Sequence, residues 1–186
     1  EQVASRMLAA AALKDVLSAF NAPGMANQTE LRRAMAADLD KLRGLQCDDG
    51  GWDYWVRNRP SIAYLTVHIA HSLVRCRQKG FEVNENMLAQ ALGYLQNIES
   101  HIPPDYGPEC RRSIRAYALY VLDLAGTPNP QKARQLLAEA SLKEQGLEVM
   151  GWLLPTLNKN KADSARVDEI YRYLDNHSTQ TASTAQ

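Results

Sequence analysis

The chain has 186 residues with 21 basic and 21 acidic side chains, so its formal net charge is zero. Hydrophobic residues make up 45% and charged residues 23% of the sequence, which is the composition of a globular protein and not of a disordered one. This length suits one domain or a piece of a larger one, and a neutral chain lacks the basic surface expected of a nucleic-acid binder. No stretch contains the ~18 consecutive apolar residues that a transmembrane helix requires.

Helix signals recur along the whole chain, and strand signals are nearly absent. Helices are predicted over residues 3–20, 29–46, 61–79, 85–98, 111–124, 130–140, 145–158 and 163–176. Gly80 and Gly126 follow their helices at the position where a left-handed C-terminal cap is favoured, and Ser61 precedes an apolar run as an N-cap residue does. Residues 178–186 are rich in Ser, Thr and Gln, so they are either a loose tail or the start of a ninth helix.

Two kinds of helix alternate in this prediction. One kind has a single apolar stripe and a polar face that is expected to contact solvent. Its members are 29–46, 85–98, 130–140 and 163–176. The other kind is apolar around most of its circumference and must be covered on more than one side. The alternation therefore predicts an inner ring of helices wrapped by an outer ring. This fold class is all-α, an α/α toroid of helical hairpins, with a superhelical solenoid of helix pairs as the alternative.

A toroid of this kind brings several loops to one rim. Its inner helices run parallel, so their N-termini are expected together with Glu1, Gln2 and the loops 47–60, 99–110 and 141–146. The positive ends of the inner-helix dipoles also point to this rim, which favours a negative charge that develops there during a reaction.

The loop after the second helix contains the most specific motif. Gln46, Gly50 and Trp52 form a Gln-x-x-x-Gly-x-Trp pattern, which closes helical hairpins in terpene cyclases and related α/α toroids. The glycine permits a tight turn and the indole covers the end of the hairpin. By itself the motif predicts a toroid and no particular chemistry.

Three further segments narrow the prediction. A second tryptophan, Trp55, completes a Gly-Gly-Trp-x-x-Trp loop, and a Tyr-x-Thr helix at Tyr64 and a Lys-Gly-Phe-x-Val turn at Lys79 follow it. The chain itself opens with Glu1-Gln2, and Ser-Arg-x-Leu begins at Ser5. Together these segments resemble the thioester-containing domain of bacterial alpha-2-macroglobulin-like protease inhibitors, in the complement and alpha-2-macroglobulin superfamily. The likeness runs from residue 1 to about residue 125 and is fainter beyond.

The resemblance implies a chemistry for the first two residues. In that family the acyl group of the glutamine in Cys-x-Glu-Gln is joined to the cysteine thiol as an internal thioester. A lysine amine or a hydroxyl of a captured protease attacks this thioester and becomes covalently tethered. The cysteine would stand three positions before Gln2 and is not in this chain. We therefore expect residues 1–186 to be a partial thioester domain that starts inside the motif and lacks the closing helices.

Several site residues follow from the resemblance. Gln2 is the expected acyl carrier, and Glu1 is its motif neighbour. Trp52, Tyr54 and Trp55 are expected to shield the thioester, although the two tryptophans are equally explained as hairpin caps. His101 is a candidate acyl-transfer histidine, because complement relatives carry a histidine at about this distance from the glutamine. Its neighbours do not match the complement pattern, and a solvated loop histidine is the alternative.

The resemblance also implies partners and location. The domain is expected to inhibit endopeptidases without turnover, and its partners are target proteases and neighbouring macroglobulin domains of the same protein. No cofactor, metal ion, nucleic acid or membrane span is expected. The expected location is the periplasm or outside the cell.

Two other functions stay open at the level of sequence. The chain is alternatively a macroglobulin scaffold without a thioester, or an α/α-toroid enzyme that acts on glycans or isoprenoids. For a glycosidase, Asp48, Asp49 and Asp53 are candidate paired carboxylates, although an Asp-rich and Gly-rich turn explains them equally well. His68 and His71 lie one turn apart as a metal pair would, but no third ligand accompanies them, which favours packing roles.

Overall fold

The computed structural model describes residues 1–20, 28–54 and 60–177 of the chain. Its α-helices are α1 (Gln2–Phe20), α2 (Gln28–Leu45), α3 (Ala63–Gln78), α4 (Glu85–Gln96), α5 (Ile98–His101), α6 (Pro108–Leu124), α7 (Pro130–Ala138), α8 (Leu147–Asn158) and α9 (Ser164–Asn176). Two short 3₁₀ turns cover Leu142–Glu144 and Lys161–Asp163. The described residues contain no strand, which confirms the all-α class, while the toroidal arrangement stays a prediction.

Each predicted helix is present, and its ends differ from the prediction by a few residues. Helix α6 begins at Pro108 instead of residue 111, because proline is well suited to the first turn of a helix, where its missing N–H costs no hydrogen bond. The short helix α5 was not predicted as a separate element. Residues 178–186, predicted as a tail or a ninth helix, lie outside the described residues.

The predicted helix caps are confirmed in part. Gly80 has a φ of 74° and Gly126 a φ of 92°, so both adopt the left-handed conformation expected after a helix. The N-cap prediction for Ser61 is wrong: Ile62 occupies that position and makes no side-chain cap. The Ser61 hydroxyl is instead committed elsewhere, since it donates to Asp49 Oδ2 at 2.6 Å and is hydrogen-bonded to the Tyr94 hydroxyl at 2.9 Å.

The helices form two compact units, of which the first is Glu1–Pro104, here called the N-terminal unit. Helix α3 is its centre and packs against α1 and α4, while α2 packs against α1. Most of α3 is buried, whereas α2 buries a single stripe, as predicted for the two kinds of helix. Helix α1 departs from the prediction of all-round burial, because Leu13 is 49% exposed. Among residues 2–14 of α1, the buried side chains are Ala4, Met7 and Ala11.

The second compact unit is Asp105–Gln186, here called the C-terminal unit. Helices α6 and α8 pack most extensively against each other, with α7 against both and α9 against α8. One apolar cluster forms its core, and its most deeply buried side chains are Leu136, Met150, Leu153, Leu157 and Ile170. None of the helices in the described part of the chain is both long and apolar enough to cross a membrane.

Candidate functional site

The loop after α2 folds into a tight turn that only glycine permits. The Cys47 N–H donates to the Gly51 carbonyl at 2.9 Å, and the Gly50 N–H donates to the Cys47 carbonyl at 3.0 Å. Gly50 has a φ of 87°, and a Cβ at this residue would lie 2.5 Å from the carbonyl oxygen of Gln90 in α4. The turn therefore approaches α4 more closely than any other residue type allows.

Gln46 and Trp52 join this turn to three helices. The Gln46 side-chain amide donates to the carbonyls of Gly50 and Met87, each at 3.0 Å. Trp52 is 1% exposed, and its indole N–H donates to the Leu42 carbonyl at the end of α2 at 2.8 Å. Its backbone N–H donates to Thr66 Oγ1 on α3 at 3.0 Å. Trp52 thus closes the α2–α3 hairpin, which is the packing role foreseen for it.

The first turn of α1 carries Gln2 and is held by two side-chain contacts. Ser5 Oγ is hydrogen-bonded to His68 Nε2 of α3 at 3.0 Å. The Arg6 guanidinium donates Nε–H to Asp38 Oδ2 of α2 at 3.0 Å. Because Ser5 and Arg6 follow Gln2 within one turn, these contacts to α3 and α2 fix the position of the glutamine's backbone.

A cleft of ≈ 590 Å³ connects Gln2 to the tryptophan loop. It is lined by Glu1, Gln2, Val3, Lys41, Leu42, Leu45, Trp52, Asp53, Tyr54, Leu65 and Ile69. The walls are mainly apolar, and the charged groups enter from α1, α2 and the loop. Glu1 and Gln2 thus line one cleft with residues 52–54 of the loop, as expected if the chain start and loop 47–60 share a rim. The rim itself, and the positions of loops 99–110 and 141–146 relative to it, stay predictions.

The aromatic residues predicted to shield a thioester differ in position. Trp52 is buried in the wall of the cleft, and Tyr54 is 47% exposed beside it. Trp55 lies outside the described residues.

The three aspartates of the loop have different surroundings. Asp49 accepts hydrogen bonds from the Gly51 N–H at 3.0 Å and from Ser61, so it stabilises the turn. Asp48 lines a separate cleft of ≈ 370 Å³ beside α4. Asp53 lines the Gln2 cleft, and its Oδ2 atom is buried with no hydrogen-bond partner within residues 1–20, 28–54 and 60–177. Because Asp48 and Asp53 line different clefts, the loop does not provide the facing pair of carboxylates that the glycosidase alternative needs.

His68 and His71 are side by side on α3, and both have lowered pKa values. Burial is the main cause for His68, and the charge of Glu1 partly opposes it. Burial, followed by the charges of Arg75 and His68, lowers the pKa of His71 to about 4. Arg75 donates Nε–H to His71 Nε2 at 3.4 Å, so this imidazole serves as a neutral acceptor. Within the described residues, no group of three or more His, Cys, Asp or Glu side chains is arranged to hold a metal ion.

His101 lies at the end of α5 and stacks on Tyr94. The two ring centroids are 3.7 Å apart and the planes are inclined by 17°. Burial raises the pKa of Tyr94, whose hydroxyl is bonded to Ser61. His101 is half-buried in this stack and is not one of the residues that line the Gln2 cleft.

Sequence reasoning missed several side chains of the cleft. Lys41, Leu42 and Leu45 lie at the C-terminal end of α2 and line the cleft. Their position directly before the motif is the sequence signal that could have identified them. The burial of Asp53 and the Ser5–His68 contact gave no signal, because each depends on the approach of two helices that are distant in sequence.

Comparison with known proteins supports the fold. No protein-family model matches the chain, and no curated protein does. A crystal structure of a Salmonella alpha-2-macroglobulin variant is similar, with a TM-score of 0.77 and 20% identity over 98% of this chain. A crystal structure of Salmonella alpha-2-macroglobulin reacted with methylamine has a TM-score of 0.76 and 20% identity over 98% of this chain. A C-terminal portion of native Escherichia coli alpha-2-macroglobulin has a TM-score of 0.76 and 20% identity over 94% of this chain.

The chain spans only a small part of these proteins. It covers 12% of each Salmonella chain and 28% of the E. coli portion. The sequence resemblance to bacterial alpha-2-macroglobulins is thus confirmed at the level of the fold: the described residues have the all-α fold of one region of these bacterial proteins.

Proposed function

We propose that this chain is part of the thioester domain of a macroglobulin-type protease trap, in which Gln2 carries the reactive acyl group. The observation that carries the proposal is the shared cleft. Gln2, Trp52 and Tyr54 line one cavity in a chain that has the fold of a region of bacterial alpha-2-macroglobulins. In the proposed protein, a cysteine three positions before Gln2 supplies the thiol.

The cleft suits an acyl group that must be protected from water. A thioester is a better acyl donor than an amide because a thiolate is a better leaving group than an amine, and for the same reason it is exposed to hydrolysis. Apolar walls formed by Leu42, Leu65 and Ile69 lower the local water content around the acyl carbon. Gln2 itself is exposed at this edge, so a neighbouring macroglobulin domain is proposed to complete the cover until a protease triggers its movement.

The role of His101 stays a prediction. A histidine that receives the acyl group must bring a ring nitrogen to the acyl carbon. The imidazole of His101 is stacked on Tyr94 and is not part of the Gln2 cleft. Direct attack by the nucleophile on the Gln2 acyl group is therefore the simpler proposal. Under it, a His101→Ala variant reacts with amines at the wild-type rate.

Under this proposal, the protein that contains this chain inhibits endopeptidases and does not turn over, because each thioester reacts only once. Its partners are target proteases, which supply surface lysine amines or hydroxyls, and the neighbouring macroglobulin domains of the same protein. Its proposed location is the periplasm or outside the cell.

The test uses the full encoded protein that contains this chain. One of the similar Salmonella proteins has been reacted with methylamine, and the same reagent is the probe here. We expect methylamine to add one methylene mass to the side chain of Gln2, as seen by peptide mass spectrometry, and to release one thiol per protein molecule. Gln2→Ala removes both signals, and Gln90→Ala, an exposed glutamine of the same unit, retains both.

A wild-type protein that shows neither signal contradicts thioester chemistry. That outcome leaves the fold intact and favours the alternative of a macroglobulin scaffold without a thioester. The residue encoded three positions before Gln2 gives the same answer more cheaply, since any residue other than cysteine there excludes the bond.

A further inference from the structure

We infer that Asp53 makes cationic amines the preferred nucleophiles for the acyl group of Gln2. The inference rests on the proposed thioester function and names a specificity-determining residue within it. It depends on the Asp53 carboxylate, which belongs to a residue lining the Gln2 cleft and has one buried oxygen.

Asp53 differs from the other aspartates of its loop. Its Oδ2 atom is buried and accepts no hydrogen bond from any residue that the structure describes, and Asp53 lines the cleft that Gln2 also lines. Asp49 is fully engaged with Gly51 and Ser61. Because no hydrogen bond from the described residues offsets the charge at this oxygen, the Asp53 carboxylate attracts a cation that enters the cleft.

The charge of Asp53 acts where a positive charge develops. When an amine attacks the acyl carbon, its nitrogen lone pair forms the new C–N bond and the nitrogen becomes positively charged. The C–S bond then breaks, its electron pair leaves with the cysteine thiolate, and the nitrogen loses its extra proton, through the Asp53 carboxylate or solvent, to the thiolate. The products are a substituted amide at Gln2 and a free thiol.

Water and hydroxyl nucleophiles gain less from this carboxylate. An alkylamine is present in solution mainly as its cation, so a carboxylate in the cleft also raises its local concentration. A neutral nucleophile receives no such enrichment. Glu1 and Lys41 bring one charge of each sign to the same cleft, so their contributions offset each other and Asp53 leaves it negative. Because the oxygen is shielded from bulk water, its effect is stronger than that of an exposed aspartate.

The experiment compares two reactions of the full encoded protein. The first is the second-order rate constant for thiol release by methylamine, and the second is the rate of thiol release by water alone. In Asp53→Asn we expect the methylamine rate constant to fall about tenfold, the lower end of the effect of a charged cleft on the local concentration of a cation, while the hydrolysis rate is unchanged. Asp48→Asn is the matched control, since it removes the same charge from the same loop but from a different cleft.

Each outcome decides the question. An Asp53→Asn protein with the wild-type ratio of the two rates overturns the inference, and so does an equal rise of both rates, which would make Asp53 part of the cover. Asp53→Glu keeps the carboxylate and is expected to keep the amine preference, which guards against a folding defect in the first variant. A wild-type protein that releases no thiol with either reagent instead refutes the proposed function, so the two failures are distinguishable.

Discussion

The two units of the chain treat buried carboxylates in opposite ways. In the C-terminal unit, the side chain of Asp123 is 2% exposed and accepts from Lys159 at 2.6 Å, and that of Asp163 is 8% exposed and binds Arg134 through both oxygens. In the N-terminal unit, Asp53 has a buried oxygen with no partner, beside a cleft.

The difference separates structural carboxylates from a candidate functional one. An ion pair in a packed unit satisfies both charges, and its members are committed to holding helices together. Such a pair joins α7 to the start of α9 through Arg134 and Asp163, and another joins α6 to the end of α8 through Lys159 and Asp123. No described ion pair commits the Asp53 carboxylate in this way, so its charge is available to act on the cleft that the residue lines.

The largest expected effect tests whether the N-terminal unit is organised around its loop. Trp52→Ala removes a buried indole and its bond to Leu42, and we expect a loss of about 3–5 kcal/mol in the free energy of unfolding. Trp152 of the C-terminal unit is half-buried and stacks on Tyr117 with centroids 4.5 Å apart. Trp152→Ala is expected to cost only about 1–3 kcal/mol. Urea unfolding followed by circular dichroism measures both losses, because this signal does not depend on the tryptophan fluorescence that each substitution removes.

Equal losses in the two tryptophan variants would contradict this asymmetry. They would mean that Trp52 contributes no more to the stability of the N-terminal unit than the Trp152–Tyr117 stack contributes to that of the C-terminal unit.

A second pair of variants compares glycines with the same backbone conformation. Gly50→Ala places a Cβ 2.5 Å from the Gln90 carbonyl oxygen in addition to the cost of a positive φ, so we expect a loss of about 2–4 kcal/mol. Gly126 of the C-terminal unit has a similar φ and no atom within 4 Å of its Cβ position. Gly126→Ala is expected to cost about 1 kcal/mol, which is the conformational term alone. Thermal unfolding of both variants gives the comparison, and a Gly126 loss as large as that of Gly50 would refute the close approach to α4.

The sequence predicted most of the fold because its helices follow local rules. Apolar periodicity and the Gly80 and Gly126 caps depend on residues within one or two turns, so their elements were located correctly. Ser61 was misassigned for the opposite reason: its hydroxyl is bound to Asp49 and Tyr94, and the tertiary contact outweighs the local preference for an N-cap.

The candidate site was predictable only where a motif encodes it. Gln46, Gly50 and Trp52 form a recognisable pattern, and Gln2 follows from the resemblance. The unpaired oxygen of Asp53 has no pattern, because composition does not reveal which of three loop aspartates loses its solvent. All-round burial of α1 was overpredicted, since an alanine-rich helix is apolar whether or not neighbours cover it.

The smallest expected effect concerns pH and the histidines of α3. The pKa of His71 is lowered from 6.5 to about 4, first by burial and then by Arg75 and His68. The unfolded chain therefore binds a proton at His71 between these pH values while the folded chain does not, so the stability of the fold falls as the pH decreases through this window. The charge of Glu1 acts on the neighbouring His68, where it partly opposes the lowering of the His68 pKa by burial.

A His71→Gln variant sharpens this last comparison between the units. Glutamine retains an acceptor for Arg75 but does not titrate, so between pH 7 and pH 5 the variant should lose about 1 kcal/mol less stability than the wild type, after allowance for partial solvent screening. His177, an exposed histidine of the C-terminal unit, is the matched control, and His177→Gln should leave the acid-side loss in place. Urea unfolding at the two pH values measures the difference. If the His71→Gln variant loses as much stability as the wild type, the acid sensitivity does not originate at His71, because His71 would then carry no protonation cost that folding imposes.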